Sequence, residues 1–215
     1  MKNLHTLLLI LFLSLTTSLQ AQQLQELRRS KRPFAFAEFK EAKVNQPFGR
    51  YTKAKVNFRL SDGALCFLDK DSTIRRAYVQ KVLSVDVDSV RYLKVDSIFG
   101  RVLASQNYNH LVCVTLIDQK YRNQELFDID QMMQNGGGFF AHSILELEEK
   151  AGEGYPLKDV FYFNVQGTTF PARESYVKKH IAPEYKTAFR TLMGDRWWSW
   201  HDPDCLAKLL MYFPK

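Results

Sequence analysis

A change of hydrophobic period divides this sequence and restricts what it can fold into. From Lys55 to Val165 apolar residues recur mainly at every second position, and after Pro171 they recur at intervals of three and four. A spacing of two sends alternate side chains to opposite faces of a strand, whereas the longer spacing collects them on one side of a helix. Lys55 to Leu60 sets Val56 and Phe58 against Asn57 and Arg59. Ser61-Asp62-Gly63 then supplies a turn, and Ala64 to Leu68 returns as an apolar strand. Ile74 to Val79 predicts another strand. Lys81 to Asp88 predicts a half-buried one, with Leu83, Val85 and Val87 opposite Ser84, Asp86 and Asp88. Val87-Asp88-Ser89-Val90 recurs eight residues later as Val95-Asp96-Ser97-Ile98, a spacing that fits successive strands of a meander. Asn109 to Ile117 is apolar on both faces, which suits a central strand. Asp159 to Val165 alternates again before Gly167.

The tail reads differently. Tyr176, Val177, His180 and Ile181 form a helical stripe that Pro183 ends. Tyr185, Ala188, Phe189, Leu192 and Met193 form a second, stopped by Gly194. Asp202 is a good N-cap with Pro203 at the first helical position, and Leu206, Leu209, Leu210 and Phe213 make a third apolar face. Helices this short are not stable alone and must pack. The expected fold is therefore α+β: a mainly antiparallel β-sheet over residues 51–167, within a β-rich domain at 51–170. A helical cap of about three short helices at 171–215 packs on it. Between Arg122 and Pro156 the pattern weakens. Asn135-Gly136-Gly137-Gly138 predicts a loop, and Phe139 to Lys150 fits a helix or a further strand.

The front of the chain carries an address. Lys2 precedes an apolar run from Leu7 to Leu15 broken only by Ser14, and small Ala21 follows. This is the layout of a secretory signal peptide at residues 1–21, cleaved near Ala21. The run is too short for the ~20 residues that span a bilayer, and no later segment approaches that length. The expected mature protein is soluble and exported, periplasmic or secreted. Cys66, Cys113 and Cys205 allow three buried thiols, or a Cys66–Cys113 bridge with one thiol left over; no CxxC is present.

The formal net charge is +7. Residues 22–62 hold ten Lys and Arg against four Asp and Glu, whereas residues 63–170 hold eleven against fourteen. Residues 22–50 thus read as a basic N-terminal arm, in which Arg28, Arg29, Lys31 and Arg32 are the candidates for holding an anionic surface. The favoured expectation for the same stretch is a solvated, flexible terminus. Export and the lack of a recognisable motif argue against nucleic acid.

Several stretches carry a family look: Tyr51 to Phe58, Leu65-Cys66-Phe67-Leu68-Asp69, Phe161 to Gly167 followed by Phe170-Pro171-Ala172, Tyr176 to Pro183, and Leu206 to Tyr212. Over residues 47–215 the chain resembles a family of exported Bacteroidota proteins whose function is not established. Its tryptophan cluster departs from the Lys-rich tails usual there. The resemblance implies an envelope or secreted location and supplies no catalytic residue.

Chemistry-bearing patterns are sparse. His110, His142, His180 and His201 make no HxH or HExxH spacing, no GxSxG elbow exists, and no metal ligand set or cofactor is expected. His180, on the apolar stripe of its helix, reads as a packing residue. Asp86 with Asp88, and Asp128 with Asp130, are spaced to share a strand face. Such pairs serve glycoside hydrolysis or Ca²⁺ binding, or merely solvate an exposed face. Arg196, Trp197, Trp198, Trp200 and His201 form the densest aromatic cluster, suited to stacking on a glycan or a peptide, or to packing. The favoured expectation is a non-enzymatic binding or structural protein of the cell envelope whose partner is an envelope protein or glycan. The alternatives are a carbohydrate-active hydrolase using strand carboxylates and an anionic-surface binder acting through the basic arm.

Overall fold

The computed structural model describes residues 28–125 and 154–215. The signal segment, Asp128 and Asp130, the Asn135-to-Gly138 run and residues 139–150 with His142 lie outside the described residues. The fold is α+β: a mostly antiparallel sheet followed by short C-terminal helices. In chain order the strands are β1 Arg29–Ser30, β2 Lys40–Asn45, β3 Tyr51–Phe58, β4 Leu65–Leu68, β5 Ile74–Arg76 and β6 Ser84–Val87. They continue as β7 Val90–Val95, β8 Ile98–Gln106, β9 Asn109–Ile117, β10 Tyr155–Val165 and β11 Thr168–Pro171. Spatially they run β1-β10-β9-β8-β7-β6-β2-β3-β4-β5, with β11 also against β10. Residues 119–125 are helical. The recurring Val-Asp-Ser motif proves to be two hairpin turns. Val87 pairs with Val90 and Val95 with Ile98, and Asp88 (φ 53°) and Asp96 (φ 55°) take the left-handed backbone that the tight reversal requires.

The sheet extends in front of residue 51. β2 lies between β6 and β3, with Ala42 and Val44 buried while Glu41 and Lys43 are exposed. Only two apolar residues among charges carry that strand, so its alternation reads as solvated arm. Residues 28–39 are fastened as well. Arg29 and Ser30 pair with Pro156 and Tyr155 on β10, and Phe34 bridges Arg59 just past β3. The Leu60 amide donates to the Pro33 carbonyl (2.8 Å) and the Ile117 amide to the Leu60 carbonyl (2.8 Å). This segment therefore ties the β10 side of the sheet to the end of β3.

Register separates two faces. One carries Val56, Phe58, Val85 and Val87, with Tyr92 and Phe99. Phe58 stacks on Tyr92 with ring centroids 4.3 Å apart, although β2 and β6 intervene between their strands. Three strand spacings amount to ~14 Å in a flat sheet, so this half must curl, and Phe36 fills the bend against both rings. Asn57, 1% exposed, locks that filler in place. Its Nδ2 donates to the Phe36 carbonyl (3.0 Å) and its Oδ1 accepts from the Phe36 amide (3.0 Å).

Farther along the same face the cover is helical. Helices α1 Glu174–His180, α2 Lys186–Met193 and α3 Pro203–Lys208 bring Val177, Phe189 and Leu206 into a core with Leu111, Phe163 and Phe170. Phe213 packs edge-on against Phe163 at 5.0 Å. Asp202 caps α3 by accepting from the Asp204 amide (3.0 Å), with Pro203 in the first turn. His180 stacks flat on Phe170 (3.8 Å).

Cys66, Cys113 and Cys205 are all buried free thiols. Pairing places Cys66 of β4 beside Asn57 on one face and Cys113 of β9 beside Phe161 on the other.

Candidate functional site

On the face opposite the aromatic bend, register builds a charged row across four strands. Lys53 of β3 faces Lys43 of β2, Lys43 faces Asp86 of β6, and Asp86 faces Arg91 of β7. The polar residues of these alternating strands converge here, whereas farther along the same face Leu93 and Val95 of β7 enter a buried apolar cluster with Val112 and Val114. Two lysines directly opposite one another are unfavourable in a sheet that has only stability to serve. Lys43 leans over the Tyr51 ring (4.6 Å) rather than onto Asp86. Asp86 is held instead by Arg91 Nε (2.9 Å) and Asn45 Nδ2 (2.8 Å). Glu41, Lys55, Lys43, Lys53, Asp86 and Asp88 line an open groove of about 610 Å³. A second groove of about 430 Å³ continues from Asp86 and Arg91 towards Ser105 and His110.

Partial burial works to raise the Asp86 carboxyl, but the hydrogen bonds from Arg91 and Asn45 and the nearby positive charges outweigh it. The net effect holds Asp86 below the usual carboxylate range. A general acid needs the opposite shift. Asp88 sits in the β6–β7 turn and pairs with Lys40 Nζ (2.7 Å). The two carboxylates share the groove without sharing a regular strand face, because the strand ends at Val87. Burial, then the charge of Arg91, lowers the His110 pKa. Its Nδ1 is hydrogen-bonded with Ser105 Oγ (2.8 Å). Among the described residues no three His, Cys, Asp or Glu side chains gather as a metal site.

The tryptophan cluster divides. Trp197 is exposed with the Arg196 guanidinium over its ring at 4.6 Å. Trp198 and Trp200 meet edge to face at 5.5 Å and pack against the helical core. His201 is exposed. Only Arg196, Trp197 and His201 therefore present a surface. In the front segment, Arg28 makes two bonds to the Asp159 carboxylate (2.9 and 3.0 Å). Arg29 pairs with Glu125 and donates to the Gly154 carbonyl (3.1 Å), while Lys31 and Arg32 are exposed. Two of the four arm cations are thus engaged within the fold. Burial pushes the Cys113 thiol up to about 12, reinforced by the Asp159 charge, and burial also raises Cys66. Such thiols are poor nucleophiles. The Cys205 thiol points at the Trp197 carbonyl (3.8 Å).

Sequence reasoning missed the row because Lys43 and Lys53 stand on strands that look like solvated basic chain. It also missed Phe48. This residue is 91% exposed at the β2–β3 hairpin tip, in a left-handed backbone (φ 62°) that bulky side chains avoid. Pro47 and Gly49 flank it, but nothing in the spacing marked Phe48 as outward. No protein-family model, curated protein or solved structure matches this chain. No helix among the described residues is long and apolar enough to cross a membrane.

Proposed function

We propose that this chain is an exported, non-catalytic binding or structural protein of the cell envelope, and that its contact surface is the outer face of β2, β3, β6 and β7. The observation that carries the reading is the Lys53–Lys43–Asp86–Arg91 row along an open groove. Within the row three cations stand to one carboxylate, which is committed to Arg91 and Asn45. The groove beside it adds Lys55 with Glu41 and an Asp88 paired to Lys40, so it is the row itself that suits an anionic glycan or an acidic protein segment. The layout of residues 1–21 and the resemblance to exported Bacteroidota proteins support the location. The hydrolase alternative is weakened by Asp86, whose surroundings favour its ionised form. The test is capture by the tagged mature protein of acidic polysaccharide and of components of envelope extracts, with and without the paired change Lys43→Glu and Lys53→Glu. Retention should fall by roughly tenfold or more and should weaken with salt. Undiminished retention by the double variant, or turnover of a glycan by the wild-type chain, would overturn the reading.

A further inference from the structure

The β2–β3 hairpin tip combines three features that a solvated loop has no use for. Phe48 is almost fully exposed in a left-handed backbone conformation, and an L-residue with a bulky side chain holds that conformation at a cost. Beside it stand Tyr51 (54% exposed) and Leu83 (55% exposed). They are brought to the same end of the sheet because Asn45 pairs with both Tyr51 and Ser84, and its carbonyl accepts from the Leu83 amide (2.9 Å). The charge at the tip is cationic: Lys43, Arg50 and Lys53 stand on or beside the hairpin and Lys81 precedes Leu83. Arg59, Arg75 and Arg76, by contrast, lie toward the far end of β3 and pair with Asp62, Asp69 and Asp71. Arg50 lies over the Phe48 ring at 5.9 Å. The nearest acid along the row, Asp86, is neutralised by Arg91 and Asn45.

We propose that this tip docks on an anionic phospholipid surface, with Phe48 and Leu83 entering the headgroup region and Arg50, Lys43 and Lys81 meeting the phosphates. The division of labour follows from the chemistry. Exposed apolar side chains gain by leaving water at the bilayer boundary, and the cations add attraction that salt screens. A protein partner would be served as well by a flat apolar patch. A ring projected from a tight turn within a rim of cations matches a soft, uniformly negative surface better. The proposal goes beyond the envelope-binding reading, because its apolar side chains stand at the sheet end and not in the charged row.

The experiment is co-sedimentation of the mature chain with vesicles of phosphatidylcholine alone and with vesicles carrying about 30% phosphatidylglycerol, a fraction at which surface charge dominates. A Phe48→Trp variant reports insertion by a blue shift of its emission relative to the parent chain. Binding is expected only to the anionic vesicles and should fall between about 50 and 300 mM salt. Phe48→Ser should lower partitioning roughly tenfold and Arg50→Glu by a similar factor. Both positions are exposed, so unchanged circular dichroism checks that the variants fold. Millimolar glycerol phosphate should not compete. Equal binding to neutral vesicles, an unshifted emission from the vesicle-bound Phe48→Trp variant, or competition by the soluble headgroup would each overturn the proposal. So would Phe48-dependent capture of a protein with no vesicle binding. If vesicle binding fails while the Lys43 and Lys53 dependence of partner capture persists, only the lipid inference falls.

Discussion

One face of the sheet is kept from water by two different means. At the front, β2, β3, β6, β7 and β8 bend until Phe58 reaches Tyr92, and residues 33–39 plug the bend with Phe36. At the back, β9, β10 and β11 are covered by helices whose apolar stripes end in Leu206, Leu209 and Phe213. The same alternation of side chains feeds both. What differs is the source of the cover, which comes from a short N-terminal segment in the first case and from three amphipathic helices in the second. Both halves bury apolar area, but the back cover is three helices with apolar stripes, whereas the front cover is a short segment pinned by a few bonds beside its aromatic contacts.

The strongest test of that contrast is at the back. Phe163 is fully buried between the sheet and Phe213, and Phe163→Ala should cost about 3–5 kcal/mol of unfolding free energy. Urea denaturation measures it. Because β8 and β9 are paired along their length, the loss should appear in one transition. Two separated transitions, with hydrogen exchange accelerated only in residues 155–215, would mean that the halves unfold independently.

At the front the pin is Asn57. Asn57→Ala takes a partner from the part-buried amide and carbonyl of Phe36 and from the buried Phe58 amide and should cost about 2–3 kcal/mol. Limited proteolysis should then cut between residues 30 and 40 before it cuts elsewhere. If cleavage there is no faster than in the wild-type protein, the segment is held by its aromatic packing and the pin is dispensable. Arg28→Ala removes the paired bonds to Asp159 at the other end of the same segment. Arg28 is more than half exposed (58%), so its loss should cost less than about 1 kcal/mol. A larger loss would make the β1 end, and not Asn57, the fastening point.

The two halves were not equally legible. The helical cover could be read almost residue by residue, since Asp202, Pro203 and the Leu206-to-Phe213 stripe are local signals with local consequences. The bend could not. Phe36 meets Tyr92 only because strands far apart in sequence converge, and no period in residues 33–39 announces it. β2 was hidden by Lys40, Glu41 and Lys43, and the charged row was hidden with it, because which lysine faces which is a matter of register. The Val-Asp-Ser recurrence was visible as spacing, and its meaning as a pair of left-handed turns emerged from the backbone. In the tryptophan cluster composition was plain, but the division between exposed Trp197 and packed Trp198 and Trp200 depends on tertiary contact.

The smallest predicted effect concerns the outer face where the two halves join. Burial, and then the Arg91 charge, lowers the His110 pKa from its ordinary 6.5, so folding favours the neutral imidazole. As pH falls through 6.5, the unfolded chain takes up a proton before the folded one, and stability declines until the folded value is passed. Above 6.5 the full contribution is present. Asp86 acts in a lower window. Its depressed pKa contributes stability above its ordinary 3.8, and the contribution is lost as pH drops further. His110→Gln should therefore flatten the fall in urea midpoint between about pH 7 and pH 5, while leaving the steeper loss near pH 4 and below. If the midpoint falls equally in variant and wild type over the upper window, burial at the junction of the two halves is looser than the packing around His110 implies.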